Sequence, residues 1–253
     1  MKSILISLAL GATLLACNNQ NNEKIQEKEA KQFPEAFEKG LKAHGGLDKW
    51  NANGTLTFNE IYGEDAVFHI IDLKNRNERM EKKGDYKIGF TSDSISIYPD
   101  ANSFPHDNPK FFHNLRFYFF SLPFVTADDG AHQEVLEPRD MNGVTYNRVK
   151  ITFGDGVGNA SKDQYILWYN SETNLLKMIN YSITFFDEGN ADKYNAIVYS
   201  KWETISGLTV PVEIIGYKWE NDSLGAERYK KYFDDISFST DRPNPDIFLN
   251  LAE

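Results

Sequence analysis

The chain has 253 residues, 41% hydrophobic and 14% aromatic, with one cysteine and a net charge of −10. Its 18 Phe, 13 Tyr and 4 Trp demand burial, which excludes a disordered protein. The balance of 27 basic against 37 acidic residues repels phosphate and argues against nucleic acid as a partner, and a single thiol excludes a disulfide scaffold or a multi-thiolate metal site.

Residues 1–16 read as a lipoprotein signal peptide. Lys2 supplies the positive start, and the apolar stretch 4–16 is too short to span a bilayer as a stable helix. It runs into Leu14-Leu15-Ala16-Cys17, which resembles a lipobox. The resemblance implies cleavage before Cys17 and acylation there, so that the protein is held to a membrane without a transmembrane helix. The alternative is an ordinary signal followed by a buried cysteine. Residues 17–32, with an Asn-rich start and alternating Glu and Lys, read as a flexible tether. Asn18 after the cysteine, with no acidic cluster behind it, resembles the sorting signals of the outer membrane's periplasmic face.

Residues 33–253 read as a single domain. A helix is expected at 34–44, where Phe33, Phe37, Leu41 and His44 recur at helical spacing, stopped by Gly45-Gly46. A short turn carrying Trp50 follows. From Thr55 the period changes to two, as in a half-buried strand. Further strands are expected at 66–73, 76–83, 86–91 and 94–98, the second of these an exposed or edge strand because it is mostly charged. The second half gives strands at 144–153, 164–169, 175–186, 194–202, 210–219 and 228–238. Short turns between successive strands imply a single curved antiparallel sheet forming an incomplete barrel, a mainly β fold of α+β type.

One segment breaks the pattern. Asn108-Pro109 opens a helix over 108–122 that is apolar nearly all round. Phe111, Leu115, Tyr118 and Leu122 form one stripe, Phe117, Phe120 and Phe124 a second, Phe112 and Phe119 a third. Such a helix needs cover on almost every side, which makes it a lid or plug for the sheet.

Beyond these elements, Ala43-His44-Gly45-Gly46, the strand-to-turn run from Tyr165 through Trp168 to Thr173, the run from Trp202 to Pro211, and Pro245-Asp246-Ile247-Phe248 resemble lipoproteins of Bacteroidetes related to the LolA/LolB-like superfamily of outer-membrane lipoprotein sorting. The resemblance implies a half-barrel closed by helices around an apolar cavity that receives acyl chains. On that reading the ligand is a lipid or acyl chain, and its contacts are Phe111, Phe112, Leu115, Arg116, Tyr118, Phe119, Leu122 and Phe124.

Each candidate has a plainer reading. The aromatic helix either lines a cavity or fills the core, and Arg116 meets either a ligand head group or a buried carboxylate. The five histidines (His44, His69, His106, His113 and His132) have no metal-site spacing. Gly154-Asp155-Gly156-Val157-Gly158 lacks the helix of a phosphate loop and reads as a hairpin tip. Asp234 and Asp235, adjacent on a strand, are expected on opposite faces and so unable to form a catalytic dyad. No nucleophile elbow appears. The sequence thus predicts neither enzyme nor cofactor, and names no protein partner. The rival is a solid-cored interaction module, and the less favoured third reading is an envelope hydrolase.

Overall fold

The computed structural model describes residues 31–92, 94–156 and 160–252. The signal peptide, Cys17, most of the tether and the last part of the glycine-rich loop lie outside them.

Two short helices come first, α1 (Glu35–Ala43) and α2 (Leu47–Ala52). The chain turns between them at Gly45 and Gly46, with φ of +107° and +93°, values that glycine adopts without strain. β1 (Thr55–Tyr62), β2 (Asp65–Asp72), β3 (Glu78–Lys82), β4 (Tyr86–Phe90) and β5 (Ile95–Tyr98) follow as a meander. α3 (Pro109–Ser121) comes next, and then β6 (Ala131–Met141), β7 (Val144–Phe153), β8 (Tyr165–Asn170), β9 (Leu176–Tyr181), β10 (Asn195–Ile205), β11 (Leu208–Glu220) and β12 (Ser223–Ser239) make a second meander. The antiparallel pairing of β1 with β12 joins the two into one sheet of twelve strands. The sheet is curved but unclosed, with β5 at one edge and β6 at the other. α3 carries the chain between those edges.

The turns explain the register. Asn142-Gly143, Ser206-Gly207 and Asn221-Asp222 all have positive φ at both positions, the type I′ geometry whose twist suits two-residue hairpins. The core follows from alternation. β1 buries Leu56 and Phe58 and exposes their neighbours more, and β8 sends Tyr165, Leu167 and Tyr169 to the helix-covered face. Trp168 points the other way, into a smaller cluster with Tyr146, Met178 and Ala196. On the main face α1, α2 and α3 all contribute to one large cluster, with Phe37, Leu41, Trp50, Phe117 and Phe120 among its members. Late in the chain, a 3-10 turn over Pro245–Phe248 packs against β4.

Four expectations need correction. β6 adds a strand that period-two alternation does not announce, because it is an edge strand with few apolar positions and Pro138 inside it. β3 is interior, paired on both sides, and its charged sequence hides two buried residues, Glu78 and Met80. The long strand expected at 175–186 ends at Tyr181, after which Thr184 leaves the ladder to bond Asp163 by its N–H (2.6 Å) and hydroxyl (2.7 Å). Finally, Asp234 and Asp235 do not simply face opposite sides: the Asn59 amide donates to both, at 3.0 and 2.9 Å. A register shift in the β1–β12 pairing and a φ of +48° at Asp235 break the alternation there.

Candidate functional site

The site is built on α3. Asn108 caps the helix, accepting from the Phe111 N–H at 3.2 Å, and Pro109 occupies the first turn, where its missing N–H costs nothing. One face of the helix is packed solid against the sheet. Phe120 stacks on Phe58 of β1 at 4.3 Å and meets Phe233 of β12 edge-on at 5.1 Å. Phe119 meets Tyr181 at 4.9 Å, and the Tyr199 hydroxyl donates to the Phe119 carbonyl at 2.8 Å. Leu122 and Phe124 belong to the same core, with Phe124 stacked on Trp50 at 4.7 Å. Phe112 joins a separate cluster through His106, 3.9 Å away ring to ring, and Phe104.

The residues expected to contact ligand therefore divide. Phe119, Leu122 and Phe124 are core, Phe112 packs in the second cluster, and the space directly under the helix is filled. Phe111, Leu115 and Tyr118 instead line an open cleft of about 250 Å³ beside the helix. Phe117, Phe153, Tyr165 and Phe185 complete its apolar wall, with Arg76, His113, Asn114, Asp128 and Asp163 as polar members. The volume falls just below the roughly 300–1,000 Å³ of drug-sized ligand pockets, which suits one chain rather than several. Burial raises the pKa of the Asp163 carboxyl, against the two Thr184 hydrogen bonds that lower it, and burial also raises the Tyr118 and Tyr165 phenols.

Arg116 turns to the sheet, not the cleft, with Nε 3.1 Å from Glu60 Oε2. This is the buried-carboxylate alternative. Around it lies a polar network that the sequence reading missed. Glu60 also accepts from Lys231. His69 donates from Nδ1 to Glu78 Oε1 at 2.6 Å, and His113 on α3 donates to the other oxygen of the same carboxylate. His69 Nε2 stands 4.0 Å from Glu60 Oε2, without a hydrogen-bond partner among the described residues. Burial alone would raise both carboxyls. The charges of Lys231, Arg116 and His69 hold Glu60 below its ordinary value, and His113 with His69 holds Glu78 down to about 2. A signal for this existed. Glu60, His69 and Glu78 each fall on the core phase of their strands, alongside Phe58, Ile71 and Met80.

Both imidazoles spend a nitrogen on Glu78, and among the described residues no group of three or more His, Cys, Asp or Glu is arranged to hold a metal. His44 is committed elsewhere. Its Nδ1 donates to the Thr209 carbonyl at 2.9 Å and its Nε2 accepts from the Leu176 N–H at 3.1 Å, which fixes a neutral tautomer. The cleft wall thus offers shape and mostly apolar surface, with Arg76, Asp128 and Asp163 as its charged members.

No family model matches the chain, and no curated protein matches it in sequence. Solved structures do. A DUF1329 family protein from Desulfovibrio piger superposes with a TM-score of 0.51 at 12% identity, over 84% of this chain and 95% of its own. A LolA superfamily protein from Nitrosomonas europaea gives 0.44 at 11% identity, over 83% and 95%, and a putative outer membrane lipoprotein-sorting protein domain from Vibrio parahaemolyticus gives 0.38 at 10%, over 85% and 97%. What the first of them shares with this chain is the fold: one long curved antiparallel sheet carrying few helices.

Proposed function

We propose that the protein is a cell-envelope lipoprotein that holds a lipid or acyl-bearing ligand in the cleft beside α3, without performing chemistry on it. Cys17 anchors it to the outer membrane, with the folded domain on the periplasmic side. The observation that carries the reading is the cleft itself: an open space of about 250 Å³ walled by Phe111, Leu115, Phe117, Tyr118, Phe153, Tyr165 and Phe185. Each methylene moved from water into such a site contributes about 0.8 kcal/mol, so a chain binds there without strong polar contacts. Among the described residues no helix is long and apolar enough to cross a membrane. The packed face of α3 favours holding over engulfing, since the cleft runs along one flank of the helix.

Titration with a fluorescent acyl probe tests this. Leu115→Trp fills the cleft and is expected to weaken binding at least about tenfold, the loss of some two methylenes' burial, with an unchanged melting temperature. Phe185→Ser, which changes the wall facing the helix, is expected to weaken it as well. Undiminished binding in both variants would remove the cleft from the account.

A further inference from the structure

We propose that the ligand is an anionic single-chain amphiphile, its chain in the cleft and its oxyanion on Arg76. This rests on the cleft reading above and narrows it to a ligand class.

A second space, of about 270 Å³ and mostly polar, lies next to the cleft and is lined by Trp50, Asn53, Leu73, Lys74, Arg76 and Asp128 among others. Arg76 and Asp128 line both spaces. An apolar slot and a polar pocket meeting at a guanidinium match the two ends of an amphiphile. The Arg76 guanidinium lies 4.7 Å from the centre of the Phe117 ring, its Nη2 is 2.8 Å from Asp128 Oδ2, and one third of the side chain is exposed.

Its placement is held under strain. Arg76 has a φ of +64°, a conformation that residues with side chains rarely adopt. The turn around it is fixed by Asp72, whose carbonyl accepts from the Arg76 N–H (2.8 Å) and whose carboxylate accepts from the Lys74 N–H (2.9 Å) and from Arg242 (2.6 and 3.0 Å). Strain so heavily over-determined is a mark of functional positions.

The charges facing the two spaces leave this role to Arg76. Lys74 donates to the Asn51 carbonyl, His113 to Glu78, and Asp163 accepts from Thr184. The Arg76–Asp128 pair is partly exposed on both sides, so it is weak, and an incoming oxyanion can take the place of Asp128. A planar guanidinium holds carboxylate or phosphate oxygens in pairs, and its stacking on Phe117 keeps the plane oriented.

Calorimetric titration of the full chain with dodecanoate, dodecyl phosphate and dodecanol, each below its micellar concentration, tests the proposal. Both anions are expected to bind about tenfold tighter than the alcohol. Arg76→Gln should bring them to the alcohol's level and leave the alcohol unchanged, while Asp128→Asn should tighten the anions. The ratio of dodecanoate to dodecyl phosphate tells a fatty acid from a single-chain phosphate-bearing lipid. Equal affinity of the alcohol and both anions for the unmodified chain, or an Arg76→Gln variant that still prefers anions, would overturn the proposal and leave the cleft reading standing. Failure of all three to bind would overturn both.

Discussion

His69 of β2 and His113 of α3 bond the two oxygens of one carboxylate, that of Glu78 on β3. The helix is thereby fastened to the β2–β3 pair beneath it through a group sealed from water. Arg116 repeats the arrangement through Glu60 one helical turn further along. α3 is therefore held at its polar side by buried ion pairs and at its apolar side by Phe119 and Phe120, and the cleft borders the remaining flank.

The Glu78 carboxyl has a folded-state pKa near 2 against an ordinary 4.5. Its contribution to stability is complete above about pH 4.5 and is lost as pH falls through 2, a total of order 3 kcal/mol. Urea melts from pH 5 to pH 2 should show this slope. Glu78→Gln should flatten it and lower the stability at pH 7, since His69 and His113 would then face an uncharged amide.

His44 gives a second, higher window. Burial lowers its pKa to about 4 from 6.5, despite the opposing hydrogen bond to Thr209. The unfolded chain thus binds a proton that the folded one refuses, and stability falls as pH drops from 6.5 to 4, again by about 3 kcal/mol. NMR titration of the imidazole should find it neutral at pH 5.5. His44→Ala should remove the two hydrogen bonds that seat the end of α1 on β9 and β11, lowering stability by about 2–3 kcal/mol at pH 7.

Gly89 of β4 is required by the end of the chain. A Cβ there would stand 1.9 Å from the Phe248 carbonyl oxygen, a backbone atom that cannot turn aside. Gly89→Ala should lower stability by about 2–4 kcal/mol and expose the 3-10 turn over Pro245–Phe248 to protease. Limited proteolysis with mass analysis checks this, and an unchanged fragment pattern would mean that the turn docks elsewhere.

Period-two alternation and turn chemistry carried most of the fold, and they fail at identifiable places. β6 offers almost no apolar alternation, because an edge strand exposes much of both faces, yet Asn142-Gly143 announces a hairpin and so implies a strand on each side. The bulge at Asp235 reverses an argument that holds only for unbroken ladders. At the site, the stripe Phe111, Leu115 and Tyr118 was legible as one face of α3, whereas Leu122 left that face because the helix ends at Ser121. The Glu78 pair was hidden because its partners are far apart in sequence and only the register of β1, β2 and β3 beneath α3 brings them together.

The central claim is that an acyl chain lies between α3 and the strands beside it. Photo-crosslinking with a diazirine-bearing fatty acid, followed by peptide mapping, tests it most directly. Adducts are predicted on Phe111, Leu115, Tyr118, Phe153 or Phe185, and should be suppressed by Leu115→Trp. Adducts gathered on the opposite face, around Trp168 and Trp219, or left unchanged by that substitution, would contradict the account.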